Sequence, residues 1–384
     1  MAKIQLLNKI SPIGLAQFGA NYEVGDAVTA PDAILVRSAA MHDMTFGPEL
    51  KAIGRAGAGV NNIPVESCAN QGIVVFNTPG ANANGVKELA IAALMLASRD
   101  IVGGIQWAST LTTDVAKSVE KGKSAYAGCE IAGKTLGVIG LGAIGGMVAN
   151  AAKSLGMNVV GCDPYITIDG AWHLSRTIQK AASYDEVFEQ CDYITLHVPA
   201  TPQTKDMINK DTIAKMKDGV RILNLSRADL VNITDLKEAL ASGKVASYVT
   251  DFPTEESINV KGIVAIPHLG ASTEESEDNC AVMAANEIID FLENGNIKNS
   301  VNYPNVRLER TSDHRVVILH KNIPNMISHI TDSLGKQNIN IENLVNASKG
   351  DFACTIAETN SDITDAILAS ISSMEGIIRV IKIA

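Results

Sequence analysis

Three polar residues carry the chemistry this chain could perform: Arg227, Glu255 and His268. Each follows an apolar run. Arg227 ends Leu223-Asn224-Leu225-Ser226, Glu255 follows Tyr248 to Thr254, and His268 opens His268-Leu269-Gly270-Ala271-Ser272-Thr273 after Ile263 to Pro267. An arginine grips a carboxylate through two parallel N–H bonds. A histidine gains and loses a proton near neutral pH, and a carboxylate beside it favours the charged imidazole. Taken singly, each has a plainer reading: a surface guanidinium, a solvated carboxylate, a core imidazole bonded to backbone. At strand ends beside a nucleotide fold, the three together fit hydride transfer to a 2-keto acid.

The fold that would position them is announced by Lys134 to Gly145. An apolar run, Leu136 to Ile139, reads as a buried strand and ends in Gly140-Leu141-Gly142-Ala143-Ile144-Gly145, a G-x-G-x-x-G. A helical pattern follows through Leu155, then a second strand from Met157 to Val160 and Asp163, 18 residues after Gly145. This is the order a dinucleotide site requires. Gly140 permits the tight turn, Gly142 lets backbone approach a pyrophosphate, and Gly145 lets helix and strand pack closely. The phosphates face the unpaired N–H groups of the helix. Asp163 can accept from a ribose hydroxyl and would repel a 2′-phosphate, and Pro164-Tyr165-Ile166 offers no arginine, so the cofactor read here is NAD rather than NADP. The competing reading is a plain βαβ turn without ligand.

Bulk properties narrow the classes. A net charge of −10 over 384 residues argues against nucleic acid or an anionic membrane as partner. The longest apolar runs are too short to span a bilayer, and the N-terminus lacks a signal-peptide layout. The six cysteines are scattered, which predicts free thiols, no structural metal and a cytoplasmic setting. Short apolar runs alternate with helical patterns, so the fold class is α/β. We expect a discontinuous flavodoxin-like substrate domain over 1–97 and 274–303, and a Rossmann NAD domain over 98–273. The helix from Val86 to Ser98, apolar on nearly every face, reads as buried between domains. A polar, Pro-bearing linker is expected over 304–312, then a ferredoxin-like β-α-β-β-α-β domain over 313–384. That tail should be separable, so truncation near Glu309 should leave hydride transfer largely intact.

These motifs resemble those of the D-isomer-specific 2-hydroxyacid dehydrogenases, over nearly the whole chain. Gly140 to Gly145 resembles the family's cofactor loop, Asn224-Leu225-Ser226-Arg227-Ala228 its arginine motif, and Pro267 to Thr273 its histidine motif. The tail is similar to an ACT regulatory module. The resemblance implies NAD-dependent oxidation of 3-phospho-D-glycerate to 3-phosphohydroxypyruvate, the opening step of L-serine synthesis. It implies that Arg227 binds the carboxylate and polarises the C2 oxygen, His268 takes the hydroxyl proton, and Glu255 holds His268. It further implies that Ala58 and Gly59 add amides to the carboxylate site, with Arg37 and Ser38 at the phosphate and Asn82 before the connecting helix. Ala143 and Ile144 would meet the pyrophosphate, and His197, Val198 and Pro199 the adenine end. Thr204, Ser226, Thr250, Asp251, Gly270 and Ala271 complete the cofactor set.

Two departures stand out. The family's Asp, five residues before the Glu, falls on Thr250, with Asp251 one place late; either makes the nicotinamide contact, and Glu256 competes with Glu255. In the tail, His320-Lys321-Asn322-Ile323-Pro324 resembles a serine-binding turn, but Asn325 stands where a glycine is expected. His320, Asn322 and Asn340 are the effector candidates, the alternative being that they only cap turns. Other readings are a dehydrogenase of glyoxylate, hydroxypyruvate or 2-oxoglutarate, and a non-catalytic NAD(H)-sensing regulator. The resemblance implies a homodimer or homotetramer.

Overall fold

The computed structural model describes residues 1–383, which fall into two compact units, 1–81 with 277–383 and Asn82–Ser276.

The first unit contains two sheets. One is parallel: β1 (Ala2–Leu6), β2 (Tyr22–Gly25), β3 (Ala33–Val36), β4 (Ala52–Arg55) and β5 (Val74–Phe76), in the order β2-β1-β3-β4-β5. This is the flavodoxin-like order. The short helices α1 (Pro12–Leu15) and α2 (Val65–Asn70) cross between strands. β3 and β5 are buried along their full length, as a parallel strand covered on both faces must be.

The second unit begins with α3 (Ala83–Ser98), α4 (Ile101–Ala108) and α5 (Val115–Gly122). Its strands are β6 (Thr135–Ile139), β7 (Asn158–Cys162), β8 (Gln179–Lys180), β9 (Tyr193–Leu196), β10 (Val220–Asn224), β11 (Val245–Thr250) and β12 (Ile263–Ala265). They form one parallel sheet in the order β12-β11-β10-β9-β6-β7-β8, reversing direction beside β6, as the Rossmann reading required. The crossings are α6 (Ala143–Ser154), α7 (Ile168–Trp172), α8 (Tyr184–Gln190), α9 (Lys210–Lys215) and α10 (Ile233–Ser242). Val86, Ala90, Ala93, Leu94 and Ala97 of α3 share a core with Leu136, Val148, Leu223 and Val249, so this helix belongs to the second unit.

α11 (Glu274–Asn294) leads back into the first unit, where β13 (Arg315–Lys321), α12 (Met326–Gly335), β14 (Ile341–Lys349), β15 (Phe352–Thr359), α13 (Asp365–Ser372) and β16 (Ile377–Ile383) follow. Their antiparallel order β14-β15-β13-β16 is ferredoxin-like. This sheet does not hang on a free hinge. Val317, Leu319, Cys354, Ile356, Ile381 and Ile383 join one apolar core with Ile4, Leu35, Phe76, Phe291 and Tyr303.

The polar segment before the small sheet is pinned as well. Arg315 and Glu358, 1% and 0% exposed, pair at 3.3 Å. Arg315 also donates to the Asn294 and Leu308 carbonyls, while Glu358 accepts from the Thr311 amide and hydroxyl. Polar composition over 304–312 was legible as a linker; the buried pair and shared core that hold it are long-range contacts.

No helix among the described residues is long and apolar enough to cross a membrane, and no His/Cys/Asp/Glu cluster among them is arranged for a metal.

Candidate active site

In the second unit every strand runs the same way, so residues just past β10, β11 and β12 share one edge. Arg227, Asp251–Phe252 and His268 are those residues. The Phe252 ring organises them: the His268 ring tilts against it with centroids 4.5 Å apart, and the Arg227 guanidinium lies 5.5 Å from its centre. Arg227 also donates to the Ser226 carbonyl at 2.6 Å. Asn224 braces the turn by donating to the Arg227 carbonyl and accepting from the Ser226 amide. Phe252 was not singled out from the sequence; its place two residues past a strand, between an arginine and a histidine in space, is visible only in the fold.

The acidic residues past β11 are unequally buried. Glu255 and Glu256 are both exposed and line a cleft of about 410 Å³ with Lys205, Asp229 and Asn232. Among the described residues no hydrogen bond or ion pair joins either to His268. Asp251 is instead 1% exposed, and burial raises its pKa above the ordinary carboxylate value, opposed first by the nearby charge of His268. Its Oδ1 is buried without a partner. Thr250, equally buried, spends its hydroxyl accepting from the Phe252 amide at 3.0 Å. Of the two residues left open for a cofactor contact, Asp251 has the unused capacity. β11 pairs with β10 through Thr250, and the chain bends at Asp251, one residue past the strand.

The dinucleotide loop fits its cofactor. Gly140 has φ +89°, open to glycine but strained for other residues. A Cβ on Gly145 would stand 1.9 Å from the Gly140 carbonyl, so α6 can approach the loop only there as glycine. A Cβ on Gly142 would meet nothing within 4 Å, leaving open space above the backbone. No side chain caps α6, so the first amides, at Ala143 and Ile144, are free for phosphate oxygens. Asp163 lies just past β7, held by the Leu141 and Tyr165 amides at 2.8 Å each.

His197 lies behind this loop. Burial lowers its pKa to about 4, which keeps it neutral; Nε2 is 2.9 Å from the Thr195 hydroxyl and Nδ1 is buried without a partner. Val198 is half-buried and Pro199 exposed on the segment after it. Thr204 and Ser226 bond the Pro199 and Leu196 carbonyls at 2.6 and 2.7 Å, so both are already used in shaping the loops. Gly270 is buried against Asp251 and Val86, and Ala271 follows it.

In the first unit, the amides of Arg37, Ser38 and Ala39 all donate to Asn8 Oδ1 at 3.0 Å, which fixes the turn past β3. Exposed Arg37 pairs with Glu277 at 2.5 Å. The Gly57-Ala58-Gly59 loop past β4 makes no protein bond with the Ala58 and Gly59 amides among the described residues. Arg55, unremarked in the sequence, stands against Gly57 and donates to the Arg37 carbonyl at 3.1 Å. A basic residue at the end of a strand before a glycine-rich loop was the available signal. Asn82, in the second unit, precedes α3 without capping it.

The effector candidates do not converge. His320 is 2% exposed, with Nδ1 on the Lys321 carbonyl and Nε2 on Asn346 and Thr355, a satisfied core histidine. Asn322 donates to the Gly350 carbonyl. Asn340 precedes Ile341, which pairs with Thr359, whereas His320 pairs with Ala353. Six residues of strand, roughly 20 Å, separate the two ends. Asn325 takes φ +68°, supplying the left-handed turn for which a glycine was expected.

Comparison with known proteins agrees with this geometry. Residues 91–270 match the NAD-binding domain of the D-isomer-specific 2-hydroxyacid dehydrogenases. The chain is 36% identical over 313 residues to D-3-phosphoglycerate dehydrogenase of Synechocystis, covering 78% of this chain and 54% of that one. It is 31% identical over 336 residues to D-3-phosphoglycerate dehydrogenase 1 of Saccharomyces cerevisiae, covering 81% and 68%. The solved NAD⁺-bound 3-phosphoglycerate dehydrogenase of Entamoeba histolytica aligns at a TM-score of 0.59 and 28% identity, over 78% of this chain and 98% of that one. The chain thus spans about half to two-thirds of the length of the curated relatives it matches. The chain belongs to the D-isomer-specific 2-hydroxyacid dehydrogenase family, and its second unit carries that family's NAD-binding domain.

Proposed function

We propose that the protein oxidises 3-phospho-D-glycerate to 3-phosphohydroxypyruvate with NAD, the first step of L-serine synthesis. The observation that carries this is the edge where Arg227 and His268 meet the same Phe252 ring beside the buried, half-unpaired Asp251. Arg227 takes the substrate carboxylate and polarises the C2 oxygen. His268 removes the C2 hydroxyl proton. The bound NAD supplies the hydride acceptor. Asp251 would hold the nicotinamide carboxamide, and its charge stabilises the imidazolium of His268. The free amides of Ala58 and Gly59 suit a carboxylate, and Arg37, Ser38 and Arg55 suit a phosphate. The phosphorylated substrate is supported by the names of the relatives. We further propose a cytoplasmic setting, in keeping with six free cysteines, and a homo-oligomer, as the family resemblance implies.

The test is NADH oxidation with phosphohydroxypyruvate against hydroxypyruvate, glyoxylate and 2-oxoglutarate. A kcat/KM at least a hundredfold higher for the phosphorylated acid is expected. Equal or faster turnover of an unphosphorylated acid would overturn the substrate, and no turnover of any of the four would overturn the reaction.

A further inference from the structure

One cleft in the first unit plays no part in that reaction. It has a volume of about 530 Å³ and lies where β14 and residues 299–305 meet the chain just past β5. Its polar lining includes Asn77, Asn305, Ser348 and Lys349, and no aspartate or glutamate lines it, in a chain of net charge −10. Lys349 donates one bond, 2.9 Å to the Ser300 carbonyl, leaving two N–H groups of its ammonium unspent. Partial burial lowers its pKa, a cost an adjacent anion would offset. Asn305 accepts from the Asn299 amide with its oxygen, at 2.9 Å. Neither its amide nitrogen nor the Ser348 hydroxyl has a protein partner among the described residues. The cleft therefore offers one cation and two neutral donors.

The opposite wall leads to the glycine-rich loop. The Asn77 side chain donates to the Ala58 carbonyl at 2.6 Å, and the next amide, of Thr78, donates to the Gly57 carbonyl at 3.2 Å. The Asn77 amide is itself held by the Asn299 carbonyl at 3.3 Å. A ligand touching Asn77 thus acts one hydrogen bond away from the unbonded Ala58 and Gly59 amides.

We propose that this cleft is an effector site for a small oxyanion, a carboxylate or phosphate of metabolite size held by Lys349, Asn305 and Ser348, and that Asn77 transmits its occupancy to the Gly57–Gly59 loop. Binding stands independently of the reaction; the transmission rests on that loop's proposed role with the substrate carboxylate.

The experiment titrates the full chain by calorimetry at fixed ionic strength. Inorganic phosphate is one arm and L-serine the other, separating phosphate from carboxylate. Lys349 is the last residue of β14 and outside the buried core, so Lys349→Gln and Lys349→Arg should fold. The expected result is at least tenfold weaker binding of one probe to Lys349→Gln, retention in Lys349→Arg, and persistence in Arg37→Gln, which reports the separate phosphate position. The same probe should shift the apparent KM for the keto acid in wild type but not in Lys349→Gln. Identical titrations of wild type and Lys349→Gln would overturn the site. Lys349-dependent binding with no KM shift would overturn the transmission through Asn77, while loss of turnover with binding intact would count against the reaction alone.

Discussion

Glu287 is a buried carboxyl whose ionisation the fold opposes, and its replacement should alter how stability depends on pH. The residue is 7% exposed on α11, accepts one bond from Asn299 at 2.7 Å and leaves Oε2 without a partner. Burial pushes its pKa from the ordinary 4.5 to about 8. Below pH 4.5 the group is protonated both folded and unfolded, and ionisation costs nothing. As pH rises the unfolded chain releases the proton and the folded chain keeps it, so stability falls until the folded carboxyl also ionises near pH 8. At ~1.36 kcal/mol per tenfold change in proton affinity, the loss is on the order of 3–5 kcal/mol.

Glu287→Gln keeps the acceptor for Asn299 and cannot ionise. Its amide nitrogen replaces the unmatched O–H of the acid, so the two proteins should be nearly level at pH 4.5. Urea unfolding followed by far-UV circular dichroism from pH 4.5 to 9 gives the difference, since every other titrating group is common to both. The variant should be progressively more stable, by a few kcal/mol at pH 8.5. Parallel curves would show that Glu287 ionises normally and would refute the reasoning.

His268→Ala and Arg227→Ala should each lower kcat by ~10²–10⁴-fold, as expected for an acid–base group and a substrate clamp, with NADH binding by fluorescence retained; most of the activity surviving in either would remove that residue from the mechanism. Asp163→Ala should weaken NADH and narrow its advantage over NADPH, because the carboxylate that excludes a 2′-phosphate is gone; a wild type that already prefers NADPH would contradict the assignment. Asp251→Asn should depress turnover more than Glu255→Gln, since only Asp251 is buried beside His268, and steady-state kinetics on the pair decide between them. Glu358→Gln strands the buried Arg315 and should cost ~3–5 kcal/mol in urea unfolding. Truncation near Glu309 should expose the core shared by the two sheets and give an aggregating product by size exclusion, rather than an active body.

Local chemistry made much of this protein legible from its sequence. The cofactor loop could be placed because Gly140, Gly142 and Gly145 meet steric demands within six residues, and Asp163 lies one βαβ repeat further on. Both parallel sheets and the ferredoxin-like order followed from the alternation of apolar runs and helical stretches. The edge position of Arg227 and His268 followed from parallel strands, which send all their C-terminal ends one way. Helices α4 and α5 went unread; both are short, and neither buries a residue.

What remained was decided by contacts distant in sequence. Phe252 joins Arg227 to His268 across three strand ends, and no spacing encodes that meeting. Asp251 is buried and Glu255 exposed although both follow β11 within five residues, and which of the two is covered depends on what packs over the strand end. His320 has the composition of a ligand and the surroundings of a core residue, because β14 and β15 bring Asn346 and Thr355 to its ring. The tail resembles an independent module along the chain, yet its sheet closes the same core as β1, β3 and β5. Burial is a property of which faces meet, and sequence order alone does not specify that.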